Sequence, residues 1–337
     1  MSSKKLKIAL LVGGSSPERE VSKESSKSIS KAIRNLGHEL VLIDPAYGTN
    51  QPIEEEKFFA KENYSEVRTE NYVPALNSPL LNNVDLVFLG LHGKYGEDGT
   101  VQALLELRGL KYTGSKILSS VMAMDKSMSK IMFQHFDVAT PKWFVVNCNE
   151  HNYNLIKEKI KKFFGFPCVI KPNDQGSTVG LSICRGESEV EESVKLALNF
   201  SNKALVEEYI PGREVTVGIL GQQPLPVLEI VPKHGLYDYE CKYTNGMSEY
   251  IVPAEIPDKT AQHLQQQALL AFNSVECSNY ARVDFRLTNE NRNYCLEVNT
   301  LPGMTSHSLI PKMAKAIGIS FDELIDKIIN YEIDDKG

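Results

Sequence analysis

The sequence predicts an α/β domain on a parallel sheet, followed by α+β structure with a two-strand hairpin near the C-terminus. Three observations carry that expectation. An apolar run at residues 6–12, a helix-spaced set at Val21, Ile29, Ala32, Ile33 and Leu36, and a strand-like segment at 39–43 alternate strand, helix, strand. The alternation resumes with a strand at 85–89 and a helix at 98–107, which closes a first domain over residues 1–114. From Ser115 the pattern changes to a helix at 118–136, a strand at 143–146, a charged helix at 149–164 and a strand ending at Lys171. Strands at 180–183 and 204–207 flank a helix at 187–198, completing a second unit over 115–207. The last unit, 208–337, reads as strands at 214–220 and 226–231, a helix at 259–275, a hairpin of a strand at 281–287 and one through 296–298, and closing helices. The polar stretch 47–83, with its Asn and Pro residues, reads as an insertion or irregular structure.

Composition narrows the function classes. At 337 residues the chain has length for two or three domains, and 42% apolar with 24% charged residues is ordinary for a globular protein. A net charge of -6 argues against a nucleic-acid binder. The apolar run at 8–12, which follows lysines, is too short for a signal-peptide core or a membrane span, so a cytoplasmic protein that binds no membrane is expected. The six cysteines have no clustered spacing and read mostly as small buried hydrophobes, with Cys241 the most accessible.

Chemistry concentrates in a few places. In the hairpin, residues two apart share a face, so Glu297 and Asn299 point together and Asp284 can lie beside them. Two carboxylates and an amide oxygen suit Mg²⁺, although two half-buried strands with acids facing solvent would read the same way. Gly13-Gly14-Ser15-Ser16-Pro17-Glu18 joins the first strand to the first helix, where backbone N–H groups and a carboxylate can meet a zwitterion, or simply cap the helix. His92-Gly93-Lys94-Tyr95-Gly96-Glu97-Asp98-Gly99 follows a strand end, where α/β ligands bind; a tight turn with Asp98 as helix cap accounts for part of it. Lys126 and Lys171 are point charges for phosphates, and the small, hydroxylated run after Lys171, including Ser177, could close over them like a flap or form a plain hairpin turn. Glu207-Glu208-Tyr209-Ile210, with Glu214 beyond, can form a hinge offering backbone groups to an adenine and a carboxylate to a ribose. The aromatic and charged loop at 233–250, with Lys242 and Tyr243, reads as a lid or a solvated loop. Neither Gly-x-Gly-x-x-Gly nor a P-loop occurs.

Taken together, Gly-Gly-x-Ser-x-Glu-Arg-Glu-Val-Ser, His-Gly-x-x-Gly-Glu-Asp-Gly, Tyr-Asp-Tyr-Glu-x-Lys-Tyr and Glu-x-Asn-Thr-x-Pro-Gly-Met-Thr resemble the D-alanine:D-alanine ligases of the ATP-grasp superfamily, from about residue 8 to 311. The resemblance implies an ATP-grasp fold preceded by a parallel-sheet α/β domain, and an enzyme that joins two D-alanines at the expense of ATP for peptidoglycan precursor synthesis. It implies Asp284, Glu297 and Asn299 as ligands of two Mg²⁺, with Mn²⁺ as a substitute and a monovalent cation as a further candidate. Lys126, Lys171 and Lys242 would contact phosphates, Glu207, Glu208, Tyr209 and Ile210 the adenine, and Glu214 the ribose. Glu18, in a network with Ser177 and Tyr243, would pair with the first substrate's ammonium. His92, Lys242 and Ser308 would serve substrate binding, with Ser308 at the second substrate's carboxylate, and Arg282 with the Gly303 N–H would face an oxyanion. A homodimer is also implied.

Two departures stand out: Glu208 sits where some relatives have lysine, and 47–83 is longer than in the most compact ones. A D-alanine:D-lactate ligase is the nearest rival, against which Tyr243 argues. Another carboxylate-amine ligase and a non-catalytic nucleotide-binding module are more distant ones.

Overall fold

The computed structural model describes residues 5–150, 152–233 and 247–334. Lys242, Tyr243 and Cys241 lie outside the described residues. Strands β1 (Lys7–Leu11), β2 (Glu39–Ile43) and β3 (Leu86–Leu89) form a parallel sheet in the order β2-β1-β3. Ile8 to Leu11 are wholly buried, as expected for a parallel strand covered on both faces. The helix Arg19–Asn35 buries Ile29, Ala32 and Ile33 against this sheet at helical spacing.

The stretch 47–83 is an ordered wrap of short helices, Glu56–Phe59 and Tyr72–Leu76, joined by tight helical turns. It buries Phe58, Tyr72, Ala75, Leu76 and Leu81. Those anchors are too scattered to show a period, which is why the sequence reads as structureless there. The expected helix at 98–107 starts at Thr100, because Gly99 takes a left-handed φ of 88°.

The expected single helix at 118–136 is two, Ile117–Met124 and Lys126–His135. Asp125 breaks the run in an extended conformation, and its carboxylate caps the second helix by accepting the Met128 N–H at 3.0 Å. Strands β4 (Trp143–Asn147), β5 (Cys168–Pro172), β6 (Ser182–Cys184) and β7 (Lys203–Glu208) form an antiparallel sheet in the order β4-β7-β5-β6. The helices Tyr153–Phe163 and Val190–Leu198 bury Ile156, Ile160, Val190 and Val194 in its core. Phe133 and Val138, from the segment preceding β4, pack instead with Val215, Val217 and Phe272 in the next core.

The third sheet joins β8 (Arg213–Leu220), β9 (Gln223–Pro224), β10 (Leu228–Pro232), β11 (Ser248–Ile251), β12 (Tyr280–Leu287) and β13 (Asn293–Asn299), in the order β11-β10-β8-β12-β13 with β9 on β8. β11 pairs with β10 through four registered residues, so the end of the expected lid at 233–250 is a strand. The helix Asp258–Ser274 covers one face of this sheet. The closing helices Leu309–Ala316 and Phe321–Ile333 pack into the core of the first domain, tying the chain's end to its beginning.

Candidate active site

The hairpin of β12 and β13 sets the site's register. Arg282 faces Asn299 and Asp284 faces Glu297 across the pair, so four polar side chains share one face while Val283, Phe285 and Val298 fill the core on the other. Arg282 grips Asp284 with two donors, Nε at 2.8 Å and Nη2 at 2.7 Å. Thr216 Oγ1 donates to the same carboxylate at 2.7 Å. Asn299 Oδ1 accepts the Leu301 N–H at 3.2 Å. Among the described residues no three His, Cys, Asp or Glu side chains group as a metal site. Asp284, Glu297 and Asn299 present two carboxylates and one amide oxygen, the hard oxygen donors that Mg²⁺ takes.

Lys126 comes to this face from the break at Asp125. Its own N–H and that of Ser127 are held by Asn173, at 3.0 and 2.9 Å, so the helix start is pinned to the segment just after β5. Its ammonium lies 3.0 Å from Glu297 and donates to the Gln175 carbonyl at 2.8 Å. Burial alone would push that ammonium's pKa down, but Glu297, with Glu207 and Glu97, outweighs it and the net direction is up.

Lys171, near the end of β5, lies 2.5 Å from Glu207 on β7. The other Glu207 oxygen is 2.6 Å from Lys130. Burial would raise the Glu207 carboxyl, yet Lys130 and Lys171 hold it down at about 2. Lys130, wholly buried, is pushed down by burial and by its neighbour Lys171 despite Glu207. It also donates to Thr140 Oγ1 at 2.6 Å, and Thr140 donates to the Cys295 carbonyl at 2.8 Å. Lys130 was missed by sequence reasoning. It stands four residues after Lys126 on one helix face, but its partner Glu207 lies far along the chain and no local pattern points to it.

A cleft between the second and third sheets is lined by Lys126, Lys171, Ser177, Glu207 through Ile210, Glu214, Asp284 and Glu297. Val169, Leu181, Ile183 and Leu296 supply an apolar lining, as a flat aromatic base requires. Glu214 lies 3.5 Å from Arg286, whose Nε also donates to the Ile210 carbonyl at 3.2 Å. Glu208 engages the adjoining loop, its N–H donating to the Lys142 carbonyl at 2.8 Å.

At the mouth of this cleft, Ser177 donates to Glu18, joining the flap to the first domain. Ser177 and Thr178 both take left-handed φ angles, 50° and 63°, a turn conformation that non-glycine residues seldom adopt. Gly93 packs against Glu18 so closely that a Cβ there would sit 2.6 Å from a carboxylate oxygen. Burial and the neighbouring Glu18 push Glu97 up to about 8, while its carboxylate accepts the Gly93 N–H.

His92 is buried with both ring nitrogens engaged. Nδ1 donates to the Leu301 carbonyl at 2.8 Å and Nε2 accepts from the Ser25 hydroxyl at 3.1 Å, while Ser25 takes the Met304 N–H at 3.2 Å. It thus links the first domain to the loop after β13. In that loop Ser308 accepts the Thr305 N–H at 3.0 Å, and a Cβ on Gly303 would approach its hydroxyl to 3.1 Å.

A parallel-sheet domain set beside two antiparallel sheets, with lysines and carboxylates facing the cleft between those sheets, defines an ATP-grasp ligase. Family models described as D-ala D-ala ligase N-terminus and C-terminus match residues 7–115 and 132–330. The D-alanine–D-alanine ligase of Syntrophotalea carbinolica is 41% identical over 96% of this chain and 95% of its own length. That of Aquifex aeolicus is 39% identical over 96% of this chain and 100% of its own. Among solved structures, the D-alanine–D-alanine ligase of Bacillus anthracis complexed with ATP is 30% identical with a TM-score of 0.77, covering 98% of this chain and 100% of that one. The VanG D-Ala:D-Ser ligase of Enterococcus faecalis is 31% identical with a TM-score of 0.83 over the same shares. The chain belongs to the D-alanine–D-alanine ligase family, whose members are ATP-dependent enzymes.

Proposed function

We propose that this chain joins two D-alanines into D-alanyl-D-alanine, consuming ATP, as a step in making peptidoglycan precursors. The observation that carries the reading is the convergence of Lys126, Lys171, Glu207–Ile210, Asp284 and Glu297 on one cleft, with Glu18 and Ser177 joined across its mouth. ATP takes its adenine to the hinge at Glu207–Ile210, its ribose to Glu214 and its phosphates to Lys126, Lys171 and Lys242. Asp284, Glu297 and Asn299 hold two Mg²⁺, which supply charge neutralisation and orientation at the phosphates. Mn²⁺ substitutes for Mg²⁺. The reaction belongs to the cytoplasm, where ATP is available, and the active form is a homodimer.

Glu18 fixes the ammonium of the first D-alanine, with Ser177 and Tyr243 closing the network. A carboxylate oxygen of that D-alanine bonds to the γ-phosphorus, ADP leaves, and an acylphosphate forms. The amine of the second D-alanine, its carboxylate held near Ser308, then bonds to the acyl carbon. Arg282 and the Gly303 N–H receive the oxyanion, and phosphate departs with the proton that the amine loses as the amide forms. Water must be excluded throughout, or the acylphosphate hydrolyses.

Phosphate release from ATP is expected to require D-alanine alone, and not to occur with L-alanine. Release only when D-lactate or D-serine accompanies D-alanine would overturn the acceptor assignment, D-serine being the acceptor in the VanG relative's name. Glu297→Ala is expected to abolish Mg·ATP turnover; unchanged turnover would sink the metal assignment.

A further inference from the structure

We propose that Arg19, Asp44 and Tyr72 are positioning residues that fix the loop carrying Glu18, and that the wrap 47–83 exists in part to supply this support. The proposal rests on the reading of Glu18 as the partner of the first substrate's ammonium. None of the three lines the nucleotide cleft.

Gly13 and Gly14 turn the chain out of β1 with φ angles of 78° and 76°, a conformation glycine reaches without strain. A loop so permissive has no stiffness of its own and must be held from outside. Asp44, wholly buried, does so from the end of β2: Oδ1 accepts the Gly14 N–H at 3.1 Å and the Ala46 N–H at 3.0 Å. Its other oxygen takes Arg19 Nη2 at 2.6 Å, and Arg19 returns to the same loop by donating Nη1 to the Gly14 carbonyl. A Cβ at Gly13 would sit 2.4 Å from Asp44, so the carboxylate fills the space that a side chain would take.

The wrap completes the brace. Tyr72, 3% exposed, presents its hydroxyl to the Ser15 N–H at 3.0 Å. Thr69 meets the Ser15 hydroxyl at 3.3 Å, and Asn63 accepts Arg19 Nε at 2.9 Å. The Gly14 N–H is thus fixed from the end of β2 and the Ser15 N–H and hydroxyl from the wrap, while Ser22 of the helix takes the Gly13 N–H at 2.8 Å. Glu18, immediately after it, makes no cap bond to its own helix and instead reaches Ser177.

Tyr72→Phe removes one acceptor and keeps the ring, so the protein should fold with little change in melting temperature. Two measurements on the full chain test the brace. Amide exchange over residues 13–19 should quicken, most at Ser15; unchanged exchange overturns the proposal whatever the substrate proves to be. In the phosphate-release assay the KM for the first D-alanine should rise roughly five- to tenfold, the worth of one partly buried hydrogen bond, while the KM for ATP stays within about twofold. Equal rises in both constants, or none, would likewise overturn it. Failure of the unaltered enzyme to use D-alanine would sink the substrate reading alone, leaving the exchange result to decide the brace.

Discussion

Lys130→Met is expected to lower the free energy of unfolding by about 3–5 kcal/mol and to raise the KM for ATP, although Lys130 does not line the nucleotide cleft. Methionine nearly matches the lysine stem in length and volume, so packing around the wholly buried site is kept and only the ammonium is lost. What remains is Glu207, 3% exposed at its side chain, with Lys171 alone to balance it. Removing one partner of a buried pair leaves an uncompensated charge, which costs far more than the pair's net contribution. Lys171 would then be drawn further toward Glu207 and away from a phosphate. Urea denaturation and ATP kinetics check the two halves; a loss under about 1 kcal/mol would mean that Lys171 suffices. The pH dependence has a definite sign. Glu207 is held at about 2, below its ordinary 4.5, so the stability it adds is present in full above 4.5 and lost as pH falls toward 2. The deficit of the variant should narrow through that window.

The third-sheet hairpin was legible because a period of two is local information: Glu297 and Asn299 could be placed on one face from spacing alone, whereas it is the cross-strand register that sets Asp284 opposite Glu297. The parallel sheet was legible for the same reason, its strands being continuous apolar runs. What escaped reading depended mostly on partners distant in sequence, the cap of Met128 by Asp125 being the local exception. The break at Asp125 interrupts a pattern that is helix-spaced on both sides, and only the Met128 cap and the hold on Lys126 by Asn173 reveal it. Lys130 reads as one more surface lysine until β7 brings Glu207 against it. The wrap at 47–83 has no period because it follows the surface of the first domain and anchors at isolated positions such as Tyr72. The folded structure also sharpens His92: a side chain with a ring nitrogen given to Leu301 and another to Ser25 ties two parts of the chain together, a relation that its motif does not encode.

Arg282→Ala is expected to reduce kcat for D-alanine-dependent phosphate release by roughly 10²–10³-fold, the cost of losing the oxyanion donor proposed above. The side chain is 14% exposed, and its fork already lies parallel to the Asp284 carboxylate, so its position is set before any substrate arrives. Pre-orientation matters because a donor that must reorganise as negative charge develops gives back much of what it stabilises. Arg282→Lys separates charge from geometry: one ammonium can offset an oxyanion, but it cannot keep two donors on Asp284 while doing so. It should recover only part of the rate. Asp284 itself supplies the control, since Thr216 donates to it at 2.7 Å independently of the guanidinium, a bond that the alanine variant should keep. Folding and ATP binding should therefore survive in the alanine variant, and the loss should fall on kcat with little change in the KM for ATP. A fall of less than tenfold, or one carried by the KM for ATP, would assign Arg282 to holding the Asp284 carboxylate and leave the proposed oxyanion site to the Gly303 N–H.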